Sequence, residues 1–173
     1  MGCVEPRSVP GLEAAVGPPP AGSLDPVPWL RSVRARLPGE VRRAVDILDQ
    51  GAPAGRPRAV FGNRDFGADN FLLAPDGRVV VIDWEHVGYG DPLLELMLLH
   101  VWPAGGGLLR HAPVDRVYCR IAGLDPILLG WYELLAATCG SASAIAIGDG
   151  ARAAAFRGWL GEVLEGRRTW TRS

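Results

Sequence analysis

Residues 70–83 read NFLLAPDGRVVVID, and no other run constrains the fold of this chain as tightly. Two short apolar stretches flank Ala74-Pro75-Asp76-Gly77. Val and Ile suit strands, and Asp-Gly suits a tight reversal because glycine accepts positive φ without a side-chain clash. The pattern predicts a β-hairpin, and a hairpin brings its two ends together, here Asn70 and Asp83. Just before it, FGNRDFGADN carries Asp65 and Asp69; just after it, WEHVGYGDP carries Glu85 and Asp91. RAVFG reads as a further short strand, and VGYG as a glycine-flanked loop.

On both sides the period changes to helical. SLDPVPWLRSVRARL opens with Asp25 as a cap and Pro26 in the first turn. LPGEVRRAVDILDQG places Val41, Ala44, Val45 and Leu48 on one stripe and stops at Gly51. DPLLELMLLHVW and DPILLGWYELLAATC repeat the Asp-Pro opening at Asp91 and Asp125. The second carries Leu128, Trp131, Tyr132 and Leu135 on an apolar face. A stretch around VDRVYCRIAG and the closing DGARAAAFRGWLGEVLEG complete the helices. The expected fold class is α+β and mostly helical, with the hairpin carrying the polar residues. Residues 1–22, rich in Pro and Gly, read as a disordered lead, and 23–173 as one domain.

A net charge of −1 gives no electrostatic case for nucleic acid or an anionic membrane. No apolar run approaches the roughly 18–20 residues of a membrane span. Three widely spaced cysteines, Cys3, Cys119 and Cys139, fit reduced thiols in a cytoplasm rather than a disulfide framework. All 18 Lys-plus-Arg residues are arginine. Chemistry that needs a lysine, whether to grip phosphate or to form a Schiff base, is therefore closed to this chain acting alone.

The carboxylates suggest chemistry of another kind. Hard cations such as Mg²⁺ take oxygen ligands, and the Asn70 amide with the Asp83 carboxylate leaves room for phosphate oxygens. Asp65 could accept the proton of an attacking hydroxyl. Positioning, metal charge and a base are the parts that phosphoryl transfer uses.

NRDFGADN resembles the catalytic loop of the protein-kinase-like superfamily, H-R-D-x-x-x-x-N in protein kinases. VVVIDWEHVGYGDPLLEL is similar to the aminoglycoside phosphotransferase branch, which includes choline kinase-like enzymes and typically carries I-D-W-E followed by G-D-P. The likeness covers roughly residues 25–165, with the specific motifs within 61–96. It implies Asp65 as catalytic base and Asn70 and Asp83 as metal ligands. It also implies Mg²⁺ and ATP (or GTP) as cofactors, and a small molecule offering a hydroxyl as substrate.

Three departures stand out. Asn63-Arg64 replaces the usual His-Gly, and Asn63 can still donate a hydrogen bond to hold the loop but cannot titrate near neutrality. Glu95 stands where a second Asp is expected in the helix after G-D-P. No G-x-G-x-x-G and no Lys are present, so the chain resembles the helical C-terminal lobe of a two-lobed kinase with its N-terminal lobe absent. That implies weak or no activity for this chain alone, and an apolar face suited to an N-lobe partner or to self-association. The alternative is a non-catalytic remnant or binding module.

Other residues have plainer readings. Asp76 is a turn residue, and Asp91 and Asp125 are helix caps. Asp69 faces solvent or supports the site. Glu85 shares the face of Asp83 if strand geometry continues. Arg64 offsets Asp65 or is solvated. His86, His100, His111 and the cysteines lack zinc spacings. Trp131, Tyr132 and Trp159 belong to the core, and Gly105–Gly107 is a connector.

Overall fold

The computed structural model describes residues 25–64, 70–98 and 114–166. The Pro/Gly-rich lead, Asp65, Asp69, His100, Gly105–Gly107 and His111 lie outside them.

The chain opens with α1 (Val27–Val33), one 3₁₀ turn (Arg34–Arg36) and α2 (Gly39–Asp49). Asp25 begins this run as its sequence suggests, its Oδ1 accepting the Val27 N–H at 3.0 Å. The buried residues of α2 are Val41, Ala44, Val45 and Leu48, the stripe that the helical period picks out. Bidentate contact from Arg34 to Asp46 ties the 3₁₀ turn to α2, but both partners are exposed, so its contribution is small.

Four three-residue strands follow: β1 (Val60–Gly62), β2 (Phe71–Leu73), β3 (Val79–Val81) and β4 (Gly88–Gly90). β2 and β3 form the expected antiparallel hairpin, pairing Phe71 with Val81 and Leu73 with Val79. Its turn closes as the sequence predicts. Gly77 has φ 80°, its N–H reaches the Ala74 carbonyl at 2.9 Å, and Asp76 Oδ1 accepts the Arg78 N–H at 3.1 Å. The VGYG stretch differs from its reading as a loop. Its last three residues form β4, antiparallel to β1, with Val60 opposite Gly90 and Gly62 opposite Gly88. One two-stranded sheet thus spans the hairpin at its base.

The remaining elements are helices: α3 (Pro92–Leu98), α4 (Val114–Ala122), α5 (Leu128–Ala146) and α6 (Gly150–Leu164). Asp125 Oδ1 accepts the Ile127 N–H at 2.9 Å just ahead of α5, and Asp149 caps α6 by accepting the Arg152 N–H. Helix α5 is the central member and packs against α2, α3 and α6. It is buried on nearly all sides, with Leu128, Tyr132 and Leu135 in the core and Trp131 partly covered. Two polar residues of α5 enter the interior with partners. Glu133 accepts the Trp159 indole N–H at 2.7 Å, and Thr138 bonds back to the Leu134 carbonyl. Among the described residues, no helix is long and apolar enough to cross a membrane.

Candidate active site

The hairpin does what its sequence implies at its open end. Beyond the β2–β3 pairs, the Ile82 N–H donates to the Asn70 carbonyl at 3.0 Å, so Asn70 lies opposite Ile82, and Asp83 is the next residue. Asn70 is buried and Asp83 is exposed. The chain then leaves the strand. Asp83 adopts φ 58°, the left-handed region that Asp tolerates better than most residues. The turn closes through the Val87 N–H on the Trp84 carbonyl at 3.2 Å and the Trp84 indole N–H on the Val81 carbonyl at 2.9 Å.

That left-handed turn overturns the expectation for Glu85. Strand geometry stops before Asp83, so Glu85 does not share its face. Glu85 is a solvated turn residue with His86 Nε2 at 3.5 Å from its carboxylate.

Asn63 locks the turn from below. Only 1% exposed, its Nδ2 donates to the Asp83 carbonyl at 2.6 Å and lies 3.3 Å from the Ile82 carbonyl. The residue just ahead of Arg64-Asp65 therefore grips the residue proposed to bind metal, as its donor chemistry leads one to expect. Arg64 follows with φ 65°, and its side-chain carbons lie along β4, 3.4 Å from the Cβ positions that Gly88 and Gly90 lack. Asp65 itself, the candidate base, lies outside the described residues.

The Asp83 carboxylate makes no hydrogen bond or ion pair among the described residues, so its oxygens are uncommitted. A carboxylate and an asparagine amide oxygen are the kind of donors that Mg²⁺ takes, and Asn70 and Asp83 lie one residue out of register at the hairpin end. No cluster of three or more His, Cys, Asp or Glu capable of holding a metal occurs among the described residues. A two-donor site completed by substrate oxygens does not require one. Burial pushes the Cys139 thiol up to about 12, which removes it as a nucleophile.

Two groups near the site carry more than their sequence reading gave them. Asp91 is a cap, its Oδ1 accepting the Leu93 N–H at 3.1 Å. Its Oδ2 also accepts the Tyr132 hydroxyl and, at 3.2 Å, Arg56 Nη2. Arg56 Nε reaches the Tyr132 oxygen at 3.0 Å, and its guanidinium carbon lies 5.0 Å from the Trp131 ring centroid. This cluster fixes the start of α3 to α5. No local pattern announces Arg56, an arginine within a Gly/Pro-rich loop.

The second group is Glu95, on the first turn of α3. It is 4% exposed, and among the described residues neither carboxyl oxygen has a partner at full hydrogen-bond geometry. Burial pushes its carboxyl up to about 7, against the opposing pull of the Arg64 charge and backbone N–H.

Comparison with known proteins shows the family and the fold. Residues 20–168 match the family described as phosphotransferase enzyme family (APH). No curated protein sequence matches. The fold resembles a thermostable mutant of aminoglycoside phosphotransferase APH(4)-Ia crystallised as a ternary complex with AMP-PNP and hygromycin B. TM-score there is 0.57 at 22% identity over 81% of this chain and 50% of that one. The apo form of that enzyme gives 0.54 at 23% identity over 82% and 49%. A ternary complex with ADP and hygromycin B gives 0.55 at 22% identity over 82% and 48%. The chain thus spans about half the length of the structures it matches.

Proposed function

The chain belongs to the phosphotransferase enzyme family, and from that premise we propose that it serves ATP-dependent transfer of a γ-phosphoryl group to the hydroxyl of a small molecule. The observation that carries the reading is the hairpin end, where Asn63 ties the Asp83 carbonyl and the Ile82 N–H ties Asn70. The residues that the resemblance marks as metal ligands are held there by backbone hydrogen bonds rather than by chance proximity. In this reading Asn70 and Asp83 hold Mg²⁺, whose charge neutralises the phosphate oxygens. Asp65 orients the acceptor hydroxyl and takes its proton as that oxygen attacks the γ-phosphorus and the nucleoside diphosphate leaves. The AMP-PNP, ADP and hygromycin B complexes of the matched enzyme support a nucleotide and a small-molecule acceptor as the two ligands.

Two features favour a second reading, a binding module with little turnover. The chain contains no lysine to grip phosphate. The hairpin leaves Leu72, Leu73, Val79, Val80 and Trp84 exposed, an apolar face suited to a separate upper lobe or a second copy.

A thermal-shift titration with Mg²⁺-ATP separates the readings. With ligand about a hundredfold above Kd, stabilisation of about 2.7 kcal/mol follows, some 5–10 °C for a chain this size. Asp83→Asn keeps a residue that tolerates left-handed φ while removing the charge. It is expected to lose most of the shift. An equal shift in Asp83→Asn, or none in either protein, rejects a metal–nucleotide site at this hairpin.

A further inference from the structure

The tip of the β2–β3 hairpin holds a peptide bond open to chemistry. Asp-Gly occurs twice in the sequence, at Asp76-Gly77 and Asp149-Gly150. In such a pair the glycine carries no side chain to hinder its nitrogen from closing on the aspartyl carboxyl carbon. The structure separates the two pairs. At the tip, Asp76, Gly77 and Arg78 are exposed, and a Cβ on Gly77 would meet nothing. Both carboxyl oxygens of Asp76 are drawn to residue 78, Oδ1 accepting its N–H at 3.1 Å and Oδ2 its Nε–H at 2.6 Å. Reaching residue 78 folds the carboxyl back over the intervening Gly77 peptide. The Asp149 carboxylate instead accepts the Arg152 N–H at 2.9 Å as the cap of α6. Gly150 is the first residue of that helix, so its peptide cannot turn without unwinding the first turn.

Two contacts restrain the tip. The Gly77 N–H donates to the Ala74 carbonyl at 2.9 Å. The Arg78 backbone N–H and then its guanidinium hold the Asp76 carboxyl below its ordinary range, which keeps it charged. Ring closure needs the nitrogen released and the carboxyl protonated. An exposed ion pair is weak, so local opening of the turn supplies both conditions from time to time.

We propose that Asp76-Gly77 is a site of spontaneous isoaspartate formation, and that the change unlatches the hairpin whose far end sets Asn70 opposite Ile82 and next to Asp83. The Gly77 nitrogen attacks the carboxyl carbon of the protonated Asp76 side chain. The N–H hydrogen and the carboxyl OH leave as water, and a cyclic imide closes. A water then adds at the main-chain carbonyl of the imide, and the C–N bond there breaks. The chain now runs through the side-chain carbon, and the former main-chain carbonyl becomes the free carboxyl. No oxidant or cofactor takes part, and the mass is unchanged.

The backbone gains one methylene inside the turn. The Gly77–Ala74 and Ala74–Arg78 bonds, at 2.9 and 2.8 Å, close that turn, and β2 and β3 are three residues each. A ribbon so short has little to hold it once its turn is lost. The weight of this for phosphoryl transfer rests on the phosphotransferase reading above; the rearrangement itself does not.

The test incubates the whole chain at 37 °C and pH 6 and maps its peptides after methyl-ester labelling by an isoaspartyl methyltransferase. Isoaspartate should accumulate at residue 76 and stay at background at residue 149. Arg78→Ala, which removes the guanidinium clamp, should accumulate it several-fold faster. No isoaspartate at residue 76, equal amounts at both positions, or an Arg78→Ala rate equal to that of the parent overturns the proposal. The isoaspartyl form, separated by ion exchange, should show the Ala74 and Ile82 amides displaced in NMR spectra, and an unmoved Ile82 contradicts the unlatching. Asp76→Glu, whose larger ring closes far more slowly, should keep its starting spectrum through the same incubation; a drift equal to the parent's means that the imide is not the cause. Mg²⁺-ATP titrations keep the two ideas apart. Binding by the parent that is lost in the isoaspartyl form supports the link from turn to site, and equal binding by both forms contradicts it. Binding by neither form removes the phosphotransferase reading, while the peptide map and the Ile82 amide still decide the fate of the turn.

Discussion

Replacing Asp91 with alanine is expected to lower the unfolding free energy by roughly 3–5 kcal/mol, the range for breaking a buried charge pair by removing one partner. Three interactions disappear together. The Leu93 N–H loses its cap, the Tyr132 hydroxyl loses its acceptor, and Arg56 loses its more buried carboxylate partner. The cap alone is worth about 1 kcal/mol. Most of the effect comes from the guanidinium left over Trp131 and Tyr132 with the more exposed Asp25, at 3.4 Å, as its remaining carboxylate among the described residues. Tyr132→Phe removes one hydroxyl and should cost only about 1–2 kcal/mol. Urea denaturation of both variants checks the ranking. Equal and small losses would mean that the cluster is a surface ornament rather than the pin between α3 and α5.

The second large effect is expected at Gly140, in the middle of α5. A Cβ there would lie 1.9 Å from Cε1 of the Phe156 ring on α6, and Phe156 is itself buried. The ring is buried and cannot swing into solvent without unpacking, so Gly140→Val should destabilise by about 3 kcal/mol, the upper end of ordinary overpacking. This should occur even though glycine is the poorer helix former by about 1 kcal/mol against alanine. Phe156→Leu shortens the opposing side chain. The double variant Gly140→Val/Phe156→Leu should therefore be more stable than the sum of the single losses predicts, by about 0.5–3 kcal/mol of coupling. Additive losses would show that the close approach of α5 and α6 does not depend on this pair.

The parts legible in the sequence were those specified locally. The α2 stripe, the Asp25, Asp91 and Asp125 starts, and the β2–β3 turn each follow from residues within a few positions of one another. The parts that were not legible depend on distant partners. Gly88-Tyr89-Gly90 lacks the β-branched residues that mark a strand, and it becomes one only by pairing with Val60–Gly62 far upstream. Its glycines look like loop residues until Arg64 and Glu95 are seen to occupy the space beside them. Gly140 carries no local signal of its role, since the need for a glycine there comes from the Phe156 ring of another helix. The condition on Glu85, that strand geometry continue past Asp83, fails because a left-handed Asp83 cannot be read from a strand pattern. At the hairpin end, the placement of Asn70 opposite Ile82 and next to Asp83 follows from hairpin arithmetic, whereas the Asn63 lock became specific only with the backbone in place.

The central claim is that the hairpin end formed by Asn70 and Asp83 binds a divalent ion with its nucleotide. Mn²⁺, a paramagnetic substitute for Mg²⁺ with the same taste for oxygen ligands, tests it directly by amide NMR in the presence of ATP. Signals of Asn70, Ile82 and Asp83 should broaden at substoichiometric Mn²⁺, while those of Ala136 and Ala137 in the buried helix α5 stay sharp. Uniform broadening, or broadening centred on other carboxylates with Asn70 and Asp83 untouched, would contradict the account.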